Sequence, residues 1–141
     1  MSEAELMPKL KSMCRIFVVD DELIIATSLG AILRREGFDV SWFTDPLKAL
    51  EAMNAKPPDL LISDVVMPGM SGIDLATVVR ENWPACPVLL FSGQLATSAL
   101  LDSARERGRD FEVLAKPVPP AEIIARVCKG LGIPPDNQAD A

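Results

Sequence analysis

Short apolar runs recur along the chain, each ending on a charged or small polar residue, and stretches of helical spacing separate them. Ile16–Val19 ends in Asp20-Asp21, Asp59–Ser63 is closed by Asp64, and Pro87–Phe91 runs into Ser92-Gly93. Phe38–Phe43 and the shorter Glu112–Ala115 have the same character, and the latter leads into Lys116-Pro117. Runs of this length, rich in β-branched and aromatic residues, predict strands. Nearly continuous apolarity, as in Leu60–Ile62 and Val88–Phe91, predicts burial on both faces.

The intervening segments read as helices. From Glu22 to Glu36 the apolar residues Leu23, Ala26, Leu29, Ile32 and Leu33 fall at helical spacing, and Gly37 follows where a helix end favours glycine. Further helices are predicted from Pro46 to about Asn54, over Ile73–Trp83, from Thr97 to Arg107 and from Pro120 to Leu131, with Pro suited to a first turn. Met67-Pro68-Gly69-Met70-Ser71-Gly72 is a loop. Five strands alternating with five helices imply βαβ units and an α/β fold, a parallel sheet covered on both faces. Residues 1–13 are expected to form an N-terminal extension, 14–133 one domain, and 134–141 a disordered tail. The tail leaves no room for an output domain, so the expectation is a switch that stands alone.

Composition narrows the function. The 141 residues carry a formal charge of −6 and a sequence pI near 4.6, which argues against a broad basic face for nucleic acid. Met1 to Met13 mix charge with Pro8 and contain no apolar core, so no signal peptide is expected, and no apolar stretch reaches membrane-spanning length. Cys14, Cys86 and Cys128, odd in number and widely spaced, read as reduced thiols of a cytoplasmic protein. The chain has no histidine. That removes Ser–His and Cys–His catalysis and any role as a phosphohistidine carrier.

Ligands in open parallel sheets gather at the carboxyl ends of the strands, near the point where the strand order reverses. Those ends here carry Asp20-Asp21, Asp64, Ser92 and Lys116, residues far apart in sequence. Three carboxylates in one place repel one another unless a cation sits among them, and a hard divalent ion, Mg2+ above all, suits oxygen ligands and a phosphate. Ser92 can donate a hydrogen bond, Lys116 can neutralise a phosphoryl oxygen, and Gly93 leaves room for a tetrahedral group. These are the parts of phosphoryl transfer to the carboxylate of Asp64. Each has a plainer reading: helix capping for Asp20, Asp21 and Glu22, a turn for Asp64 or Ser92-Gly93, a solvated surface for Lys116. Only their convergence overturns it.

Across roughly Arg15 to Leu131 the sequence resembles the receiver domain of two-component response regulators. The matching pieces are Val18-Val19-Asp20-Asp21-Glu22, then Asp64 through Gly72, then Ser92-Gly93 and Lys116-Pro117. The resemblance implies a CheY-like three-layer sandwich with strand order 2-1-3-4-5. It implies Asp64 as phosphoacceptor, Asp21 and Asp64 as direct Mg2+ ligands with the backbone carbonyl of Val66, and Asp20 acting through a coordinated water. Ser92 is the hydroxyl that turns toward the phosphate, Lys116 the lysine that pairs with it, and the Lys116-Pro117 bond is expected to be cis. By the same resemblance the donor is a histidine kinase or a histidine phosphotransfer protein, the downstream target is another protein, and its docking face lies on the Thr97–Arg107 helix and the Glu112–Ala115 strand. Direct contact with nucleic acid and membrane insertion are not expected.

The sequence departs from the family at Val113, where receivers commonly carry an aromatic residue three positions before the lysine; the nearest aromatic on that strand is Phe111. The coupling of hydroxyl to aromatic is therefore altered, and readout is expected from the segment Ser92 to Arg107. Val66, two residues past the acceptor, and Gln94, two past the hydroxyl, flank the path of hydrolytic water. Two other functions compete. A haloacid-dehalogenase-like phosphatase needs a second acid where Val66 stands, and a phosphorylation-independent interaction module has no need of the filled acceptor, metal and lysine positions.

Overall fold

The computed structural model describes residues 2–93 and 111–134, together with Asp102, Arg105 and Glu106. Five strands, β1 (Arg15–Val19), β2 (Asp39–Phe43), β3 (Leu60–Asp64), β4 (Val88–Ser92) and β5 (Glu112–Ala115), form one sheet in the order β2-β1-β3-β4-β5. Every neighbouring pair is parallel. The described helices are α1 (Glu3–Met13), α2 (Leu23–Arg35), α3 (Pro46–Ala55), α4 (Gly72–Asn82) and α5 (Pro120–Leu131). The expected fold class and strand order are observed. The predicted Thr97–Arg107 helix lies outside the described residues apart from Asp102, Arg105 and Glu106, which are helical. The predicted tail lies outside them beyond Pro134.

Alternation along each strand divides the core into two layers. Ile16, Val18, Leu60, Ile62, Leu89 and Phe91 point to one face and meet Leu29 and Leu33 of α2 with Ile123 and Val127 of α5. Phe17, Val19 and Leu61 point to the other, against Ala49 and Met53 of α3 and Leu75 and Val79 of α4. The largest of these side chains are fully buried, and each contributes about 1.5–3 kcal/mol of transfer free energy. The near-continuous apolar strands of the sequence have this cause.

Local signals set the helix ends. Asp45 accepts the Leu47 N–H at 2.9 Å, with Pro46 in the first turn of α3, and Ser71 accepts the Asp74 N–H at 3.1 Å to begin α4. Gly132, at φ +70°, ends α5 in the left-handed conformation that glycine adopts without strain.

Helix α1 was not assigned from the sequence, which gave residues 1–13 only as an extension. Ser2 caps it by accepting the Glu5 N–H. Its inward positions are Met7, Leu10, Lys11 and Cys14, so a lysine stands where the helical period calls for an apolar residue, and Pro8 lies inside. Lys11 is 4% exposed, pairs with Glu36 at 3.2 Å and lies over the Phe38 ring. Its stem packs and its charge is answered. Met7 and Cys14 pack against the same core layer as α2 and α5.

At the opposite end of the sheet the strands finish nearly level. Val19 pairs with Phe43 and Ser63, Asp64 with Phe91, and Ser92 with Ala115. The residues at and just past these ends share one edge of the domain.

Candidate functional site

Asp20 and Asp21 follow β1, Asp64 ends β3, Ser92 ends β4 and Lys116 follows β5. The sheet brings Asp21, Asp64 and Lys116 to one cleft of about 600 Å³, whose walls also include Val66, Met67 and Gly93; Asp20 and Ser92 lie beside it but do not line it. Asp20 and Ser63 are among the few buried polar residues described, whereas Asp21 is exposed.

One oxygen from each of Asp20, Asp21 and Asp64 lies within 4.8 Å of the others. Acids crowded this way attract a cation, and one is built in: Lys116 Nζ stands 3.2 Å from Asp64 Oδ1 and 3.7 Å from Asp20 Oδ2. Asp20 Oδ1 also accepts the Glu22 N–H at 2.9 Å where the chain enters α2. Asp20 thus serves helix entry and the site together. Burial pushes its carboxyl above the ordinary range; the Glu22 amide and Lys116 oppose that, while the charges of Asp64 and Asp21 add to it.

The three carboxylates fit a hard divalent ion. They offer oxygen ligands only, they are close enough to share one ion, and one lysine leaves them a net negative charge. No histidine or thiol competes, so the donor set favours Mg2+ or a similar ion over zinc.

The remaining sequence-derived positions fall as follows. Ser92 is half-buried, and its carbonyl accepts the Lys116 N–H at 2.8 Å, which ties the lysine's backbone to the end of β4. The cleft wall at that strand end is Gly93. Val66 is 40% exposed on the cleft. The Lys116-Pro117 bond is cis, as expected. Gln94 lies outside the described residues.

Some features of the site are not visible in the sequence. Ile25, one turn into α2, lines the cleft, as does Pro68; their apolar character gave no chemical signal. Gly72 read as an ordinary loop glycine. A Cβ there would stand 2.0 Å from the Asp64 carbonyl oxygen, while the Gly72 N–H donates to the Val65 carbonyl at 2.8 Å. Only a glycine lets α4 start this close to the acid-bearing strand. Val113 and Phe111 share a third apolar cluster with Val65, Ile73 and Leu90, and the Arg80 guanidinium lies 4.1 Å above the Phe111 ring.

Residues 16–128 match the family model described as the response regulator receiver domain. The chain is 36% identical over 113 residues to the DNA-binding response regulator MtrA of Mycolicibacterium paratuberculosis, covering 80% of this chain and 49% of that protein. It therefore spans about half the length of the curated relatives it matches. Among solved structures, a putative response regulator from Chloroflexus aurantiacus is 32% identical with a TM-score of 0.73, covering 84% of this chain and 98% of the other. An uncharacterized protein from Neptuniibacter caesariensis is 34% identical with a TM-score of 0.77, covering 84% and 87%.

Proposed function

The chain belongs to the response regulator receiver domain family of two-component systems, and from that premise we propose that it is switched by phosphorylation of Asp64. The observation that carries this is the single ammonium of Lys116, 3.2 Å from the Asp64 carboxylate at the centre of a three-acid cluster. Because the chain has no histidine, the phosphoryl group comes from a phosphohistidine on another protein, a histidine kinase or a histidine phosphotransfer protein.

An Asp64 carboxylate oxygen attacks phosphorus in line with the departing imidazole nitrogen. The P–O bond forms as the P–N bond breaks, and the imidazole leaves with the electron pair and takes up a proton. Asp20, Asp21, Asp64 and the Val66 carbonyl would hold Mg2+, which neutralises oxygens of the transferring group. Lys116 exchanges its ion pair with the Asp64 carboxylate for one with a phosphoryl oxygen, and the Ser92 hydroxyl donates to another. The charge that arrives is answered by groups already in place.

Residues 14–133 form the receiver unit, with 1–13 an extension packed on it and 134–141 a tail. The three free thiols support a cytoplasmic setting. The negative charge supports protein partners rather than direct contact with nucleic acid. The phosphorylated form changes affinity for a downstream protein.

The test is intact mass after incubation with Mg2+ and a small-molecule phosphodonor. Wild type gains one phosphoryl group, labile to hydroxylamine, and Asp64→Asn gains none. Equal labelling of both overturns the proposal. Catalytic release of phosphate from unrelated monoesters favours a phosphatase.

A further inference from the structure

Strand β3 places Ser63 directly before Asp64, and alternation turns the two side chains to opposite faces of the sheet. Ser63 is 0% exposed. Its strand neighbours in register are Val19 and Leu90, so an apolar residue would suit the position at least as well. A buried hydroxyl is costly unless it is bonded. This one donates to the Asp64 carbonyl oxygen at 2.9 Å.

That carbonyl is confined from a second side. The backbone of Gly72 approaches it so closely that a Cβ at Gly72 would lie 2.0 Å away. The Gly72 N–H holds the next carbonyl, that of Val65, at 2.8 Å. The Asp64 peptide is therefore gripped by a hydroxyl and walled by the start of α4. The orientation of this peptide fixes where the Asp64 carboxylate stands relative to Lys116 and the other two acids.

We propose that Ser63 is a positioning residue for phosphoryl transfer, acting through the Asp64 carbonyl rather than touching the reacting atoms. The inference rests on Asp64 being the acceptor. The Val65 N–H of the same peptide donates to the Phe91 carbonyl at 3.0 Å, so losing the hydroxyl removes one of its two hydrogen bonds and loosens it, and the attacking oxygen spends less time in line with the donor.

The experiment compares the rate of phosphoryl uptake from a small-molecule phosphodonor, at saturating Mg2+, among wild type and the variants Ser63→Ala, Ser63→Thr and Ser63→Val. Threonine and valine have the same shape and differ in the hydroxyl, which separates the hydrogen bond from packing. Ser63→Ala and Ser63→Val are expected to be slower by about fivefold, the effect of one ordinary hydrogen bond. Ser63→Thr is expected to stay faster than Ser63→Val by the same factor. Wild-type rates in Ser63→Ala, or equal rates in the threonine and valine variants, overturn the positioning role. A wild type that takes up no phosphoryl group overturns the reading of Asp64 instead, and that is seen before any variant is compared.

Discussion

The ammonium of Lys116 is shared by two carboxylates, 3.2 Å from Asp64 and 3.7 Å from Asp20, and both acids are more buried than the lysine. Removing the cation leaves the acids mutually repelling in a partly desolvated cleft. Lys116→Met is therefore expected to lower stability by about 1–3 kcal/mol in a chelator, less than for a fully buried pair because the lysine is partly solvated. Mg2+ should return part of the loss. Thermal melts with and without the ion read both effects; a melting temperature unchanged in chelator would contradict the shared pair.

Asp20 gives the opposite sign. Its carboxylate is buried beside two others, and an amide keeps an oxygen for the Glu22 N–H while removing the charge. Asp20→Asn should stabilise the metal-free protein, seen as a higher melting temperature, because burial and the neighbouring acids outweigh Lys116 at this carboxyl. It should also remove most of the stabilisation that Mg2+ gives wild type. A metal-free variant that melts below wild type would refute this.

Gly72→Ala tests the close approach of α4 to β3. With backbone oxygen 2.0 Å from the new Cβ, no side chain can give way and the main chain must shift. The expected cost is at least about 2 kcal/mol, seen as a lower urea midpoint, with slower phosphoryl uptake. Gly130→Ala is a useful contrast: its Cβ would meet a side-chain methyl of the buried Leu60 at 2.8 Å rather than backbone, so the cost should be smaller.

Val66 bears on the other half of the proposed cycle, loss of the phosphoryl group. Its apolar side chain is exposed on the cleft and cannot orient a water molecule. Val66→Asn should hasten dephosphorylation by about fivefold, the effect of one added hydrogen bond. Following decay of the phosphorylated mass in both proteins decides it, and equal lifetimes would remove Val66 from this role.

Cys86 supplies a pH dependence. Burial, and then the charge of Asp59, push its thiol up to about 11 from an ordinary 9.0. The folded chain holds this proton more tightly than the unfolded one, so its contribution to stability is fully present below pH 9 and is lost as pH rises toward 11. Between those values Cys86→Ala should lose less stability than wild type. At pH 8 the native thiol should alkylate far more slowly than in denaturant.

Much of this architecture was legible because four of the five apolar runs stop abruptly at an acid, a serine or a lysine. Nearly continuous apolar runs, alternating with segments of helical spacing, supplied the sheet, and the rule for strand ends supplied the cluster. Three features were not legible, each for a physical reason. Lys11 breaks the apolar period of α1 because its charge is answered by Glu36, twenty-five residues away. Ser63 looks neutral inside a strand until its hydroxyl is seen on the next carbonyl. Gly72 resembles any loop glycine, since its need for a missing Cβ arises from packing against Asp64.

The docking of α1 bears on how the protein is cut. A chain begun at residue 14 would lose Met7 from the core, uncover the Phe38 ring and leave Glu36 without the cation it faces. Such a fragment could keep every residue of the cleft and still melt earlier. Activities measured on it would describe a weakened scaffold, so the first helix belongs in any version used to compare variants.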